Sequence, residues 1–94
     1  NIYILMAQAK LRITGVVQGV FFRDSARNRA IELNLKGYAK NMPDGSVESV
    51  VLGEKEDIEK YAKWCEEGPP SATVESVNIS WMEEDISLEG FETY

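Results

Sequence analysis

The spacing of apolar residues changes between a strand-like and a helix-like period along this chain, and the order of these changes limits the folds open to it. From Lys10 to Thr14 (KLRIT) polar and apolar residues alternate, which is typical of a half-buried strand. One apolar stripe of a helix follows, at Phe22, Ala26, Ala30 and Leu33. We expect Gly37 to supply the positive φ at which this helix connects to the next strand.

The segment YAKNMPDGSVESVVL contains the plainest local signal. Its sequence Pro43-Asp44-Gly45 has the chemistry of a tight turn and lies between two extended runs. We therefore predict a hairpin in which Tyr38–Met42 pairs with Ser46–Leu52.

A second helix and further strands follow the hairpin. The helix has an apolar stripe at Ile58, Tyr61, Ala62 and Cys65, and the sequence GPPS that starts at Gly68 ends it. Thr73–Met82 alternates again, with a slip in register at Ser76, and Phe91–Tyr94 has the length of a short last strand. The resulting order (βαββαβ) predicts an α+β, ferredoxin-like split βαβ fold, with two helices on one face of a mostly antiparallel sheet.

Charge and residue types exclude several classes of function. The 94 residues suit one domain, and 16 Asp and Glu against 10 Lys and Arg give a net charge of −6. A nucleic acid or an anionic membrane requires a basic face, so we expect neither as a partner. With no histidine and one cysteine, Cys65, the chain has no Ser-His or Cys-His pair and no histidine metal site. Cys65 lies on an apolar stripe, which predicts a core position, and the low cysteine count favours a reducing compartment such as the cytoplasm.

The stretch GVVQGVFFRDSAR, Gly15–Arg27, combines two glycines with an arginine at the start of the first predicted helix. It matches neither a P-loop nor the dinucleotide fingerprint. Glycines allow backbone N–H groups to turn inward together, and a helix N-terminus adds partial positive charge, so such a loop can bind an anion. Arg23 can add a planar fork of donors. From spacing alone, a phosphate site and a tight structural loop with a solvated arginine both remain open.

Two blocks of the chain resemble the acylphosphatase family. GVVQGVFFR is similar to the family pattern of a glycine, two residues, Gln-Gly-Val, an aromatic residue and arginine, and GYAKNMPDGSVE is similar to its second block. The resemblance extends from about Lys10 to Tyr94 and includes GPPSATVESV and FETY, with Ala39 where the family often has valine. It implies an acylphosphatase-like domain over residues 7–94, preceded by an extra segment, residues 1–6.

The resemblance implies an enzyme that hydrolyses the carboxyl-phosphate anhydride of acyl phosphates to a carboxylate and inorganic phosphate, without a metal or other cofactor. Arg23 would hold the phosphate and Asn41 would orient the attacking water. The backbone cradle for the phosphate would comprise Gly15, Val16, Val17, Gln18, Gly19 and Val20. We expect a monomer that binds a small-molecule acyl phosphate, with phosphate or sulfate as a competing ligand. Acetyl phosphate, carbamoyl phosphate and 1,3-bisphosphoglycerate all remain open as substrates.

Two other functions and several simpler residue roles are also open. The same fold serves in nucleotide- or RNA-binding modules, although the negative charge disfavours this, and in the acylphosphatase-like domain of larger carbamoyl-transfer maturation proteins. We expect Gln18 to brace the loop, and Asp44 and Gly45 to form the turn. Phe21 and Phe22 are expected to pack, with Phe21 alternatively forming a wall of the substrate pocket.

Overall fold

A computed structural model of the protein describes residues 5–85 and 87–94. Within these residues the elements are β1 (Met6–Val16), α1 (Phe22–Glu32), β2 (Lys36–Asn41), β3 (Val47–Glu54), α2 (Lys55–Glu67), β4 (Thr73–Met82) and β5 (Phe91–Thr93). The strands form one sheet in the order β4-β1-β3-β2-β5. All neighbours in it are antiparallel except β2 and β5, which are parallel. The ferredoxin-like fold predicted from the sequence is confirmed, with β5 as an additional strand at one edge.

The hydrophobic core lies between the sheet and the two helices. Alternate residues of β1, namely Ala9, Leu11 and Ile13, are fully buried. The helices contribute the buried residues of their apolar stripes: Phe22, Ala26 and Ala30 from α1, and Ile58, Tyr61 and Cys65 from α2. The core position predicted for Cys65 is confirmed, and burial raises the pKa of its thiol to about 12, so the thiol is unreactive near neutral pH.

A buried polar chain connects α2 to the centre of the sheet. The hydroxyl of Ser49 on β3 donates to the backbone carbonyl of Tyr38 on β2 at 2.8 Å. Ser49 Oγ also lies 2.9 Å from the hydroxyl of Tyr61 on α2. Since Ser49 has only one hydroxyl hydrogen, Tyr61 must be the donor in this second bond. Both buried hydroxyls are therefore satisfied, and their bonds join α2, β3 and β2.

The predicted hairpin is confirmed, and its turn is closed by side chains as well as by the backbone. β2 and β3 pair antiparallel, with Asn41 opposite Val47. The carboxylate of Asp44 accepts hydrogen bonds from the backbone N–H of Ser46 at 2.9 Å and from its hydroxyl at 2.6 Å. These bonds, together with a 2.7 Å ion pair to Arg12, hold the pKa of Asp44 well below its usual range. Asp44 thus has the turn role expected from the sequence.

Gly37 has the positive φ predicted for it, but it lies inside β2 and not in the connection that follows α1. The left-handed residue after α1 is Asn34, at φ 57°, and the helix ends at Glu32, just before the last residue of the predicted stripe. Gly37 lies inside β2 with φ 144°, where an added methyl group would overlap the carbonyl oxygen of Val50 on β3. Asparagine tolerates the left-handed conformation better than most residues, so it replaces glycine at the helix end. Glycine is needed instead where two strand backbones approach closely.

The slip in register expected at Ser76 is observed as a β-bulge at the neighbouring residue of β4. On the β1–β4 ladder, Thr14 pairs with Ser76 whereas Gly15 pairs with Val74. Glu75 therefore has no residue opposite it, which is the arrangement of a β-bulge.

The start of the described chain bears on the extra segment predicted from the sequence. Of the extra segment predicted over residues 1–6, residues 1–4 lie outside the described residues, while Met6 is the first residue of β1. The backbone N–H of Lys55 donates to the carbonyl of Leu5 at 2.9 Å.

Within the described ranges, no helix has both the length and the apolar character needed to cross a membrane.

We expect Gly37→Ala to lower the free energy of unfolding by about 3 kcal/mol, because the new methyl group both clashes with the Val50 backbone and disfavours the positive φ. Gly90→Ala is the matched control, since Gly90 has φ 62° but no atom within 4 Å of an added methyl group. The control should cost only about 1 kcal/mol. Urea unfolding followed by circular dichroism measures both values, and equal losses would contradict the assigned close approach.

Candidate functional site

The loop in which the sequence placed the anion cradle lies between β1 and α1, and it begins two residues later than expected. Gly15 and Val16 were placed in the loop, but they belong to β1, where they pair with Val74 and Thr73 of β4. A methyl group on Gly15 would overlap the Thr73 carbonyl oxygen, so this glycine allows the bulged strands to approach. The loop itself comprises residues 17–21.

The backbone N–H groups of residues 17–21 have no hydrogen-bond acceptor in the described part of the chain. Gly19 and Phe21 have positive φ angles of 73° and 65°. Left-handed residues alternating with other conformations turn successive N–H groups towards one side and form an anion-binding concavity. Helix α1 begins at the next residue without a side-chain cap, so its N-terminal partial charge adds to the same region. The loop is therefore suited to hold an anion.

Arg23 and Asn41 meet at one main-chain oxygen. Arg23, in the first turn of α1, donates through Nη1 to the carbonyl oxygen of Tyr94 at 2.8 Å. The backbone N–H of Asn41, at the end of β2, donates to the same oxygen at 2.9 Å. The structure thus places the side chain of Arg23 and the backbone of Asn41, the two residues that the family resemblance assigned to the site, on the same oxygen. Sequence reasoning missed the part played by Tyr94, because a main-chain carbonyl is present in every residue and carries no residue-type signal.

The side-chain oxygen of Asn41 is buried and accepts no hydrogen bond from the described residues. Asn41 lies opposite Val47, a fully buried member of the core, so its side chain is on the helix-covered side of the sheet. The great majority of buried polar atoms in proteins are hydrogen-bonded. An acceptor left open at this position is therefore suited to a water molecule or a ligand.

Gln18 links the loop to the hairpin that follows Asn41. Its Nε2 donates to the carbonyl of Met42 at 2.8 Å and to the carbonyl of Ser46 at 2.9 Å. Both amide hydrogens of Gln18 are used in this way. These bonds agree with the bracing role expected for Gln18, and they hold the loop and the end of β2 in a fixed relation.

The two adjacent phenylalanines at the start of α1 have opposite environments. Phe22 is 1% exposed and packs on Trp64, with the ring centroids 5.6 Å apart. Phe21 is 74% exposed, so the packing role expected for it was wrong. Consecutive residues at the start of a helix point in different directions, and this is the signal by which the sequence could have shown that only one of them enters the core.

A cleft of about 270 Å³ opens at the junction of the loop and α1. Its lining residues are Val17, Gly19, Phe21, Phe22, Arg23 and Asp24. The alternative role stated for Phe21, a wall of the pocket, agrees with this lining. In residues 5–85 and 87–94, no group of three or more His, Cys, Asp or Glu side chains is arranged to hold a metal ion.

Comparison with known proteins gives a consistent family match. The sequence model of the acylphosphatase family matches residues 9–93. A protein named acylphosphatase from Pelotomaculum thermopropionicum is 40% identical over 85 residues, which cover 90% of this chain and 92% of that protein. The structure of an acylphosphatase from Coxiella burnetii is similar with a TM-score of 0.88 and 41% identity, covering 96% of this chain and 94% of that chain. HypF from T. kodakarensis is similar with a TM-score of 0.81 and 30% identity, covering 94% of this chain but 12% of HypF.

We expect Gln18→Leu, which keeps the size of the side chain, to lower the free energy of unfolding by about 1–3 kcal/mol, because two carbonyl groups lose their donors. The loop would also lose its link to the hairpin, so binding of inorganic phosphate should weaken. Chemical denaturation and calorimetric titration with phosphate measure the two effects separately. A loss of stability with unchanged phosphate affinity would show that Gln18 supports the turn and not the anion site.

Proposed function

Because the chain belongs to the acylphosphatase family and is an enzyme of that kind, which hydrolyses acyl phosphates, we propose that residues 17–21 and Arg23 hold the phosphate while Asn41 orients the water. The observation that carries this proposal is the open side-chain oxygen of Asn41. The backbone N–H of Asn41 and the guanidinium of Arg23 both donate to the main-chain oxygen of Tyr94. A nucleophile bound at Asn41 would therefore be close to an anion bound at Arg23.

The loop and Arg23 supply the positive charge that the reaction requires. Phosphoryl transfer passes through a loose transition state, so positioning and charge stabilisation provide most of the catalysis. The N–H groups of residues 17–21 have no acceptor among the described residues. Together with the N-terminus of α1, they direct partial positive charge at the phosphate without side-chain motion. One donor of Arg23 is already bonded to Tyr94 at 2.8 Å, which orients the guanidinium. The remaining donors of its planar fork are available to the phosphate oxygens.

Asn41 is suited to position water because it is neutral. Its side-chain oxygen can accept a hydrogen bond from a water molecule, and an amide does not repel the phosphate as a carboxylate would. The water oxygen forms a bond to phosphorus as the bond from phosphorus to the acyl oxygen breaks. The electron pair of the broken bond stays on the leaving carboxylate, a weak base that departs without protonation. The protons of the water pass to phosphate oxygens, so the products are a carboxylate and inorganic phosphate.

These roles require no metal or other cofactor, and they make phosphate and sulfate competing ligands, since both resemble the bound group. The proposed mechanism uses residues of one chain and requires no second subunit, so we propose that the enzyme acts as a monomer. The chain of P. thermopropionicum acylphosphatase is of similar length to this one, with 92% of it covered. HypF, of which 12% is covered, contains the same fold as part of a larger protein, so a role inside a larger protein is the second candidate.

We expect the purified protein to hydrolyse acetyl phosphate at an undiminished rate in the presence of EDTA, because its own N–H groups and Arg23 provide the charge. Inorganic phosphate and sulfate should inhibit competitively. Consumption of acetyl phosphate, measured with and without EDTA and over a range of phosphate and sulfate concentrations, tests both statements. Turnover that is lost in EDTA and restored by Mg²⁺ would contradict the metal-free mechanism.

Arg23→Gln and Asn41→Ala should affect different kinetic constants. Arg23→Gln removes a donor that contacts the phosphate throughout the reaction, so we expect kcat/KM to fall by about 100-fold or more and phosphate inhibition to weaken. Asn41→Ala removes only the group that holds water, so kcat should fall by a similar factor while phosphate inhibition stays unchanged. Steady-state kinetics with phosphate as inhibitor distinguishes the two.

Two further variants serve as controls for Asn41. Asn41→Asp is similar in shape but brings a negative charge beside the phosphate, so it should weaken phosphate inhibition where Asn41→Ala does not. Asn78→Ala makes the same substitution at an exposed position of β4 and should leave turnover unchanged. If Asn41→Ala loses activity only in proportion to a lower melting temperature, Asn41 supports the hairpin and does not act in catalysis.

A further inference from the structure

Phe21 presents an aromatic ring to solvent beside the proposed phosphate site. At 74% exposed, it has the largest exposed fraction among the large apolar side chains of the described residues. We propose that this ring binds the acyl group of the substrate and makes the enzyme prefer acyl phosphates whose acyl group is aromatic or large and apolar. The inference rests on the proposed function, since it requires the phosphate to lie at residues 17–21.

The backbone of Phe21 argues that the ring has a function. A residue other than glycine at φ 65° is strained by about 1–3 kcal/mol. Gly19, two residues earlier in the same loop, has φ 73° and no side chain, and it meets the same conformational need without this cost. The shape of the loop therefore explains the left-handed conformation at position 21, but it does not explain a phenylalanine there.

Core packing does not explain the ring either. Phe22 fills the core position next to it and contacts Trp64. Burial of an apolar side chain stabilises a fold roughly in proportion to the area removed from water, and Phe21 leaves most of its area in water. An exposed aromatic ring at the mouth of a cleft is available to a ligand.

The position of the ring selects the acyl group as its partner. Phe21 lines the cleft together with Gly19 and Arg23, whose N–H groups are proposed to hold the phosphate. An acyl group is bonded to that phosphate through one oxygen, so it must extend from the N–H groups towards the open side of the cleft. Among the apolar lining residues, Val17 and Phe22 are buried, and Phe21 is the one with a free apolar surface. A cleft of about 270 Å³ is at the small end for ligand sites, which suits a one-ring substituent.

The test compares benzoyl phosphate with acetyl phosphate, which differ only in the acyl group. We expect Phe21→Ala to lower the ratio of kcat/KM for benzoyl phosphate to that for acetyl phosphate by about tenfold, the size of effect that an aromatic contact and its buried area can produce. Phe21→Tyr keeps the ring and should keep the wild-type ratio. Ile31→Ala removes another exposed apolar side chain, at the far end of α1 and outside the cleft, and should also leave the ratio unchanged.

The outcomes separate this inference from the function on which it rests. If the wild type hydrolyses both substrates and Phe21→Ala leaves the ratio unchanged, the assignment of Phe21 is wrong and the proposed function stands. If Phe21→Tyr lowers the ratio as much as Phe21→Ala does, the ring is not the recognition element. If the wild type hydrolyses neither substrate, the proposed function fails and the acyl-binding role fails with it.

Discussion

The double pairing of β1 determines where the other elements and the site can lie. β1 is hydrogen-bonded to β3 along one edge and to β4 along the other, so it is the interior strand that joins β4 to the rest of the sheet. The ladder to β4 continues through Val16 and then stops. Among residues 5–85 and 87–94, no acceptor pairs with the backbone N–H groups of residues 17–21, so these groups are available to an anion. The candidate site therefore lies where β1 ends and before α1 begins.

The sequence predicted those features that depend on local spacing. The stripe of α2 and the core position of Cys65 followed from helical periodicity, and the hairpin followed from Pro43-Asp44-Gly45. The incorrect predictions concern residues whose conformation is determined by contacts with a distant part of the chain. Gly37 is required by the backbone of Val50, whose approach cannot be read from the residues around Gly37. The family resemblance supplied Arg23 and Asn41, which spacing alone did not distinguish from a solvated arginine and a residue before a turn.

An acidic chain that binds an anion needs local donors to outweigh its overall charge. The net charge of −6 opposes an approaching phosphate, but that effect is screened over about 8 Å at physiological ionic strength. Hydrogen bonds from N–H groups act at contact distance, where water and salt screen them least. In the proposed site, residues 17–21 and the guanidinium of Arg23 would therefore determine what binds, despite the overall charge.

The two hydrogen bonds from Gln18 to the hairpin have a consequence for which substitutions the site can tolerate. Its amide recognises two main-chain carbonyls, those of Met42 and Ser46, and uses none of their side-chain atoms. Substitutions at these two positions can therefore change the surface next to the site without breaking the connection between its halves. Position 18 itself has no such freedom, because the connection needs two hydrogens on one nitrogen at the end of a side chain of this length. A glutamine at position 18 thus permits different side chains at positions 42 and 46 of the hairpin.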